Sequence, residues 1–123
     1  YLREDILEAF ENIESIDKVI TLEIPSIDTL EIYLDEKHTI DRDFIKEVLS
    51  QIPLFDDTIQ EFCKINSERS SFGYRNYVVD LSWISIEPNK VIMRYWGRYV
   101  NIELEAIFEK SNITWENADI YYR

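Results

Sequence analysis

The side chains that most often perform chemistry are scarce in this sequence. It contains one histidine, His38, and one cysteine, Cys63, among 123 residues. A Ser-His-Asp or Cys-His site needs a base next to its nucleophile, and Cys63 lies in a helical pattern with no histidine beside it. Zinc needs three or four ligands, which one His and one Cys supply poorly. We therefore interpret His38 as an exposed loop residue and Cys63 as a buried structural one, and we predict no metal site.

Glu103 and Glu105 are the acidic pair whose spacing suits catalysis best. On a strand their carboxylates share one face about 7 Å apart, and paired carboxylates catalyse glycoside hydrolysis. Because strand alternation produces such pairs often, a carboxylate-dependent hydrolase is an alternative, and a protein without enzymatic activity is the main prediction. The acidic segments at residues 35–36 and 41–43 lack the glycine and the ligand spacing of a calcium loop. Two glycines are too few for a glycine-rich phosphate loop, so we predict no cofactor.

The charge of the chain favours a basic partner. Acidic residues number 25 and Lys plus Arg number 13, which gives a formal net charge of -12. Such a surface attracts cationic molecules and repels nucleic acids and anionic membranes. We therefore predict a protein partner, no nucleic acid and no membrane. A lone cysteine cannot form an internal disulfide, which is typical of a reducing compartment and predicts a cytoplasmic location.

Apolar periodicity indicates the elements that must position these residues. The length predicts a single domain over residues 1–123. Apolar residues recur at helical spacing across residues 2–14. Segments 18–24 and 30–34 are rich in β-branched or alternating residues, which predicts two strands that pair as a hairpin.

Two central helices are expected next. The first is capped by Thr39 or Asp41 and runs to about residue 51. Pro53 should break it, because proline removes a helical hydrogen bond and clashes with the preceding turn. A second helix is then expected at residues 56–66.

The last third of the chain predicts a β-meander. Strands are expected at residues 77–87, 91–96 and 99–109, with short edge strands at 113–115 and 120–122. The predicted fold class is therefore α+β. It has an N-terminal helix and hairpin, two central helices, and a C-terminal antiparallel meander packed against the helices.

Two turns set the expected register of this meander. Pro88-Asn89 suits a turn in which Asn takes a left-handed conformation, so Ile86 should face Val91. Gly97-Arg98 suits a two-residue type II′ turn, so Tyr95 should face Val100. One face of the sheet is then apolar. The other is mixed, and it collects Leu81, Trp83, Ile92, Arg94, Trp96, Asn101, Glu103 and Glu105.

The mixed face and the helical acids are the two candidate binding surfaces. Large aromatic side chains beside charges are typical of binding hot spots, although a half-exposed sheet can carry aromatic pairs for stability alone. Clustered helical acids suit docking of a basic protein, or they simply form a solvated face. The candidate partner-binding residues are Asp35, Glu36, Asp41, Asp43, Asp56, Asp57 and Glu61, with Trp83 and Trp96 as aromatic anchors.

Residues 79–104 resemble the terminal sheet of small bacterial immunity proteins. The similar features are the aromatic-Gly-x-Tyr-Val-Asn step at residues 96–101 and the acid Glu103 that follows it. The resemblance covers about a fifth of the chain. Such proteins are partners of polymorphic toxins, including those of contact-dependent growth inhibition.

The resemblance implies a protein with no chemistry of its own. It would neutralise a cognate toxin domain, often a basic nuclease, by direct contact in a one-to-one complex rather than as a homo-oligomer. Contacts differ between cognate pairs, so no binding residues transfer from the family. An acidic adaptor or secretion-chaperone-like protein remains an alternative, and it would be expected to form a homodimer.

Overall fold

The computed structural model describes residues 3–25, 28–70 and 74–123, and within them the chain forms two α-helices, a short 3-10 helix and six β-strands. In chain order these are α1 (Arg3–Glu11), β1 (Val19–Ile24), β2 (Asp28–Leu34), α2 (Arg42–Arg69), the 3-10 helix (Tyr74–Tyr77), β3 (Val79–Glu87), β4 (Lys90–Gly97), β5 (Glu103–Ser111) and β6 (Thr114–Tyr122). The predicted α+β class is confirmed. Neither helix combines the length and the apolar character needed to span a membrane.

The six strands lie side by side in the order in which they occur in the chain. Every neighbouring pair is antiparallel except β2 and β3, which are parallel. Parallel neighbours need a crossover connection of about a dozen residues or more, and α2 provides it. The predicted hairpin and the predicted meander are therefore parts of one mixed sheet.

The hydrophobic core lies between one face of this sheet and the two helices. Strand β1 shows the alternation clearly, because Ile20, Leu22 and Ile24 are buried while the residues between them are exposed. Helix α1 adds Ile6 and Phe10 to the same buried cluster. Since successive strand side chains point to opposite faces, the other face of the sheet presents the remaining residues.

Helix α2 is a single helix of 28 residues, so the prediction of two central helices divided at Pro53 is wrong. Pro53 has no amide proton to donate to the Leu49 carbonyl, and a proline inside a helix costs about 3 kcal/mol. The helix continues because it buries apolar side chains on both sides of the proline, each contributing about 1.5–3 kcal/mol. These side chains are Ile45, Val48, Leu49, Ile52, Phe55, Ile59 and Cys63.

The start of α2 and the extent of α1 are close to the predictions. Asp41 occupies the N-cap position of α2 with extended φ and ψ of -67° and 141°, although its side chain makes no capping hydrogen bond within the described residues. Helix α1 ends at Glu11 instead of residue 14, and Leu2 lies outside the described residues.

The predicted turn between β3 and β4 is confirmed. Ile86 pairs with Val91, and Ile84 pairs with Met93. Asn89 has a φ of 56°, the left-handed conformation that asparagine tolerates better than most residues.

The predicted two-residue turn at Gly97-Arg98 is wrong. Tyr95 pairs with Leu104 instead of Val100, because residues 98–102 form a longer connection. Gly97 does not adopt the left-handed φ that a type II′ turn requires. Glycine is needed there because the backbone of Val100 lies close to it, and a Cβ atom at residue 97 would lie 2.3 Å from the Val100 carbonyl oxygen. The register differs from the prediction by an even number of residues, so the paired side chains keep their predicted faces.

Two residues leave the predicted mixed face. A β-bulge between Leu81 and Trp83 turns Leu81 toward the helices, where it is 5% exposed. Asn101 lies in the 98–102 connection instead of on a strand. At the sheet edge, β6 is one strand of nine residues where two short strands were predicted.

Candidate functional site

The side of the sheet opposite the helices carries the mixed aromatic and charged residues of the meander. We call this side the open face. The strand pairings place both Trp83 and Trp96 on it, together with residues from β2 and β6 that the sequence did not associate with them. Its central residues are Glu31, Tyr33, Trp83, Ile92, Arg94, Trp96, Glu103, Glu105, Ile107 and Tyr121.

Four aromatic side chains give the open face its apolar area. The rings of Tyr33 and Trp83 meet edge to face with centroids 5.5 Å apart. Tyr33, Trp96 and Tyr121 are 37%, 42% and 36% exposed. Single exposed apolar residues are ordinary on protein surfaces, whereas several large aromatic rings among charges are the composition of binding hot spots.

Arg94 is the centre of a charge network on the open face. Its guanidinium lies 2.7 Å from a Glu105 oxygen and 3.3 Å from a Glu103 oxygen. The same group lies 4.8 Å from the centre of the Trp83 ring, a cation–π geometry. The Tyr121 hydroxyl donates to the second Glu105 oxygen. The side chains of Arg94 and Glu105 are each only 13% exposed, so this ion pair is largely buried within an otherwise open surface.

Glu103 and Glu105 therefore share one strand face, as the sequence predicts. Both carboxylates are ion-paired with the same arginine. A general acid or base in a hydrolase must be free to exchange its proton with the substrate, whereas both of these carboxylates are held by one guanidinium. The hydrolase alternative stays a prediction that no observation on this face favours.

The predicted acidic set does not form one patch. Asp35 and Glu36 lie between β2 and α2, and Asp43 lies in the first turn of α2. Glu61 is eighteen residues further along the same helix, about 27 Å away along its axis. The exposed members on α2 are thus spread along the helix, on the side of the molecule that faces away from the open face, while Asp35 and Glu36 lie in the loop between β2 and α2.

Asp35 is held within its own loop. His38 lies 2.6 Å from its carboxylate through Nδ1, and the Lys37 amide donates to the other oxygen at 3.0 Å. The amide hydrogen bond is the main reason that the pKa of Asp35 lies below its ordinary value, and His38 lowers it further. His38 itself is exposed, as predicted.

Asp56 is turned inward and takes part in the packing of α2 on the sheet. The hydroxyl of Tyr95, which is fully buried on β4, donates to an Asp56 oxygen at 2.5 Å. Gln60 donates to the same oxygen at 3.3 Å. Burial raises the pKa of Asp56 above its ordinary value, against the lowering effect of these hydrogen bonds. Asp57, the next residue, is exposed.

Replacing Asp56 with asparagine is expected to raise the melting temperature at pH 7. A carboxyl whose pKa is higher in the folded chain favours folding while it is protonated, and its ionisation opposes folding as the pH rises through the folded pKa. The amide oxygen of the variant still accepts the Tyr95 hydrogen bond. The advantage should therefore shrink as the pH falls toward 3.8, the ordinary pKa of the group, in a series of thermal melts. Asp57→Asn removes the same charge from an exposed position, and an equal rise for both variants would contradict the role of burial.

The lone cysteine is a packing residue in this structure. Cys63 is 3% exposed, and the Tyr122 hydroxyl lies 3.8 Å from its sulfur. Burial raises the pKa of the thiol. Both features fit the predicted structural role, because a nucleophilic cysteine needs a lowered pKa and access to solvent.

No family model matches this sequence, and neither the curated proteins nor the solved structures include a match to it. Within residues 3–25, 28–70 and 74–123, no group of three or more His, Cys, Asp or Glu side chains is arranged to hold a metal ion.

Proposed function

We propose that this protein is an immunity protein that binds a cognate, basic toxin domain one-to-one in the bacterial cytoplasm and neutralises it by direct contact. The observation that carries the proposal is the open face, where exposed aromatic side chains lie among a surplus of carboxylates. That combination supports recognition of another protein. The toxin systems would be of the polymorphic kind, which includes contact-dependent growth inhibition.

The charge of the open face supports a basic partner. The acidic residues at its strand positions are Glu23, Glu31, Asp80, Glu87, Glu103, Glu105, Glu109, Glu116 and Asp119. Among the described strand positions of this face, Lys90 and Arg94 are the basic residues. Beside the strands, Arg98 pairs with Asp80 and Arg123 lies 3.8 Å from Glu105, so the acids still outnumber the basic residues. The surplus of negative charge speeds the encounter with a cationic surface and disfavours anionic partners.

A basic toxin domain is a chemically reasonable target for such a surface. A nuclease must neutralise the phosphates of its substrate, so its substrate path is lined with Lys and Arg. An acidic protein that covers this path competes with the nucleic acid for the same groups. Inhibition then needs no catalytic residue in the inhibitor.

The experiment that tests the proposal uses the neighbouring gene. We expect the gene immediately upstream to encode a large secreted protein with a basic C-terminal domain. When that domain is co-expressed with this chain, we expect a one-to-one complex by light scattering and relief of toxicity. Raising the salt from about 50 to 500 mM should slow association at least tenfold, because exposed charges are screened over that range. Failure of the two proteins to associate at micromolar concentration would overturn the proposal. A stable homodimer of the chain alone would instead favour the adaptor or secretion-chaperone alternative.

A further inference from the structure

Negative charge lies on both sides of the molecule, so charge alone does not identify the surface that docks the partner. We infer that the partner docks on the open face and not on the outer surface of α2. We further infer that the occupant is a basic protein surface that places a Lys or Arg side chain over Trp96. This inference rests on the proposed function and assigns its contact surface.

The outer surface of α2 lacks the chemistry of an anchor. Its exposed acids include Asp57 and Glu61. Its exposed large apolar residues are two aliphatic ones, Leu54 at 60% and Ile65 at 39%. They are eleven residues apart, about 16 Å along the helix axis. Isolated aliphatic side chains of this kind are ordinary on the surface of a monomer.

Trp96 has surroundings that suit a cationic side chain. On the neighbouring strands its partners are Asp80 of β3 and Glu103 of β5, so a carboxylate flanks the indole on each side. A Lys or Arg over the ring would gain a cation–π contact and reach both acids. Asp80 already accepts two hydrogen bonds from Arg98. That pair is half-exposed, and a carboxylate can accept further hydrogen bonds.

The size and charge of the open face favour a basic partner over a second copy of this chain. Six strands about 4.8 Å apart span about 24 Å, and a strand of nine residues is about 30 Å long. The face therefore covers roughly 700 Å², which is comparable with the about 800 Å² that each partner buries in a standard interface. Two copies meeting through this face would oppose one surplus of carboxylates with another. A cationic surface would instead be complementary to this surplus.

Two matched pairs of variants test the inference against the cognate basic domain. Trp96→Ala on the open face should weaken binding about thirtyfold or more, as for a hot-spot residue, while Leu54→Ala on α2 should change the dissociation constant less than about threefold. Glu31→Lys and Glu61→Lys make the same change in net charge on opposite sides of the molecule. Glu31→Lys should weaken binding about tenfold or more, and Glu61→Lys less than about threefold. The reverse pattern in either pair would place the partner on α2 and overturn the inference.

A second experiment needs no cognate domain, so it separates this inference from the proposed function. The amidated peptide Arg-Gly-Arg-Gly-Arg is titrated into the isotope-labelled protein at low salt, and the indole N–H signals of the three tryptophans are followed by NMR. Trp83 and Trp96 report on the open face. Trp115 serves as an internal control, because its N–H donates to Glu47 of α2 on the other side of the sheet.

We expect the Trp83 and Trp96 signals to shift with peptide concentration while the Trp115 signal and the amides around Asp57 stay in place. Shifts confined to α2, or no shifts at millimolar peptide, would overturn the docking surface. If the wild-type chain fails to bind the toxin domain but the peptide shifts the open-face signals, the proposed function is wrong. The inference that the open face binds cationic side chains is then still supported.

Discussion

Replacing Phe55 with alanine is expected to lower the free energy of unfolding by about 3–5 kcal/mol. Phe55 is 4% exposed and joins α2 to the far edge of the sheet. Its ring stacks on Phe108 of β5 with centroids 4.1 Å apart and meets Trp115 of β6 edge to face at 5.4 Å. Truncation to alanine removes these contacts and leaves a cavity that the surrounding side chains can fill only in part. A loss of this size is a large fraction of the about 5–15 kcal/mol that stabilises a typical domain.

Urea denaturation followed by circular dichroism checks this effect. Leu54→Ala is the matched control, because it truncates the adjacent residue at a site that is 60% exposed, and it should stay within about 0.5 kcal/mol of the wild type. Phe55→Leu keeps most of the volume and should fall between the two. Equal effects of Phe55→Ala and Leu54→Ala would show that the α2–β5 contact contributes little to stability.

The continuity of α2 explains why the helices were predicted less well than the sheet faces. Local preference at Pro53 opposes a helix, and this preference is visible in the sequence. The opposing term is the burial of apolar residues on both sides of the proline, and it exists only once β5 and β6 lie beneath the helix. The sequence shows the low helix preference of proline but not the tertiary packing that outweighs it. It therefore predicts a break at Pro53 where the structure has a continuous helix.

The composition of the open face was largely predictable for a different reason. Alternation along β4 and β5 assigns each residue to a face, and a register error of an even number of residues does not change that assignment. The prediction that Leu81 lies on the mixed face is wrong, because a β-bulge reverses the alternation of side chains along β3. Nothing in the residues around Ser82 indicates a bulge. Tyr33 joins Trp83 through the parallel pairing of β2 with β3, which depends on the path of α2.

The charge network around Arg94 has the second large expected effect on stability. Replacing Arg94 with methionine keeps most of the volume of the side chain over Trp83 but leaves Glu103 and Glu105 without their common counter-ion. Removing one partner of a buried ion pair costs about 3–5 kcal/mol. Because Glu103 is 32% exposed and can turn toward water, and because Arg123 stays 3.8 Å from Glu105, we expect about 2–3 kcal/mol here, measured by urea denaturation.

A double-mutant cycle separates the ion pair from the packing of the arginine stem. If Arg94 acts mainly as the counter-ion of Glu105, then Glu105→Gln in the Arg94→Met background should restore part of the loss, with a coupling energy of about 1 kcal/mol or more. Arg98→Met is the matched control on the same sheet. Arg98 binds Asp80 through two hydrogen bonds in an exposed position, so its removal should leave the urea midpoint close to that of the wild type. If Arg94→Met also left the urea midpoint unchanged, the ion pairs of Arg94 would contribute little to the stability of the fold.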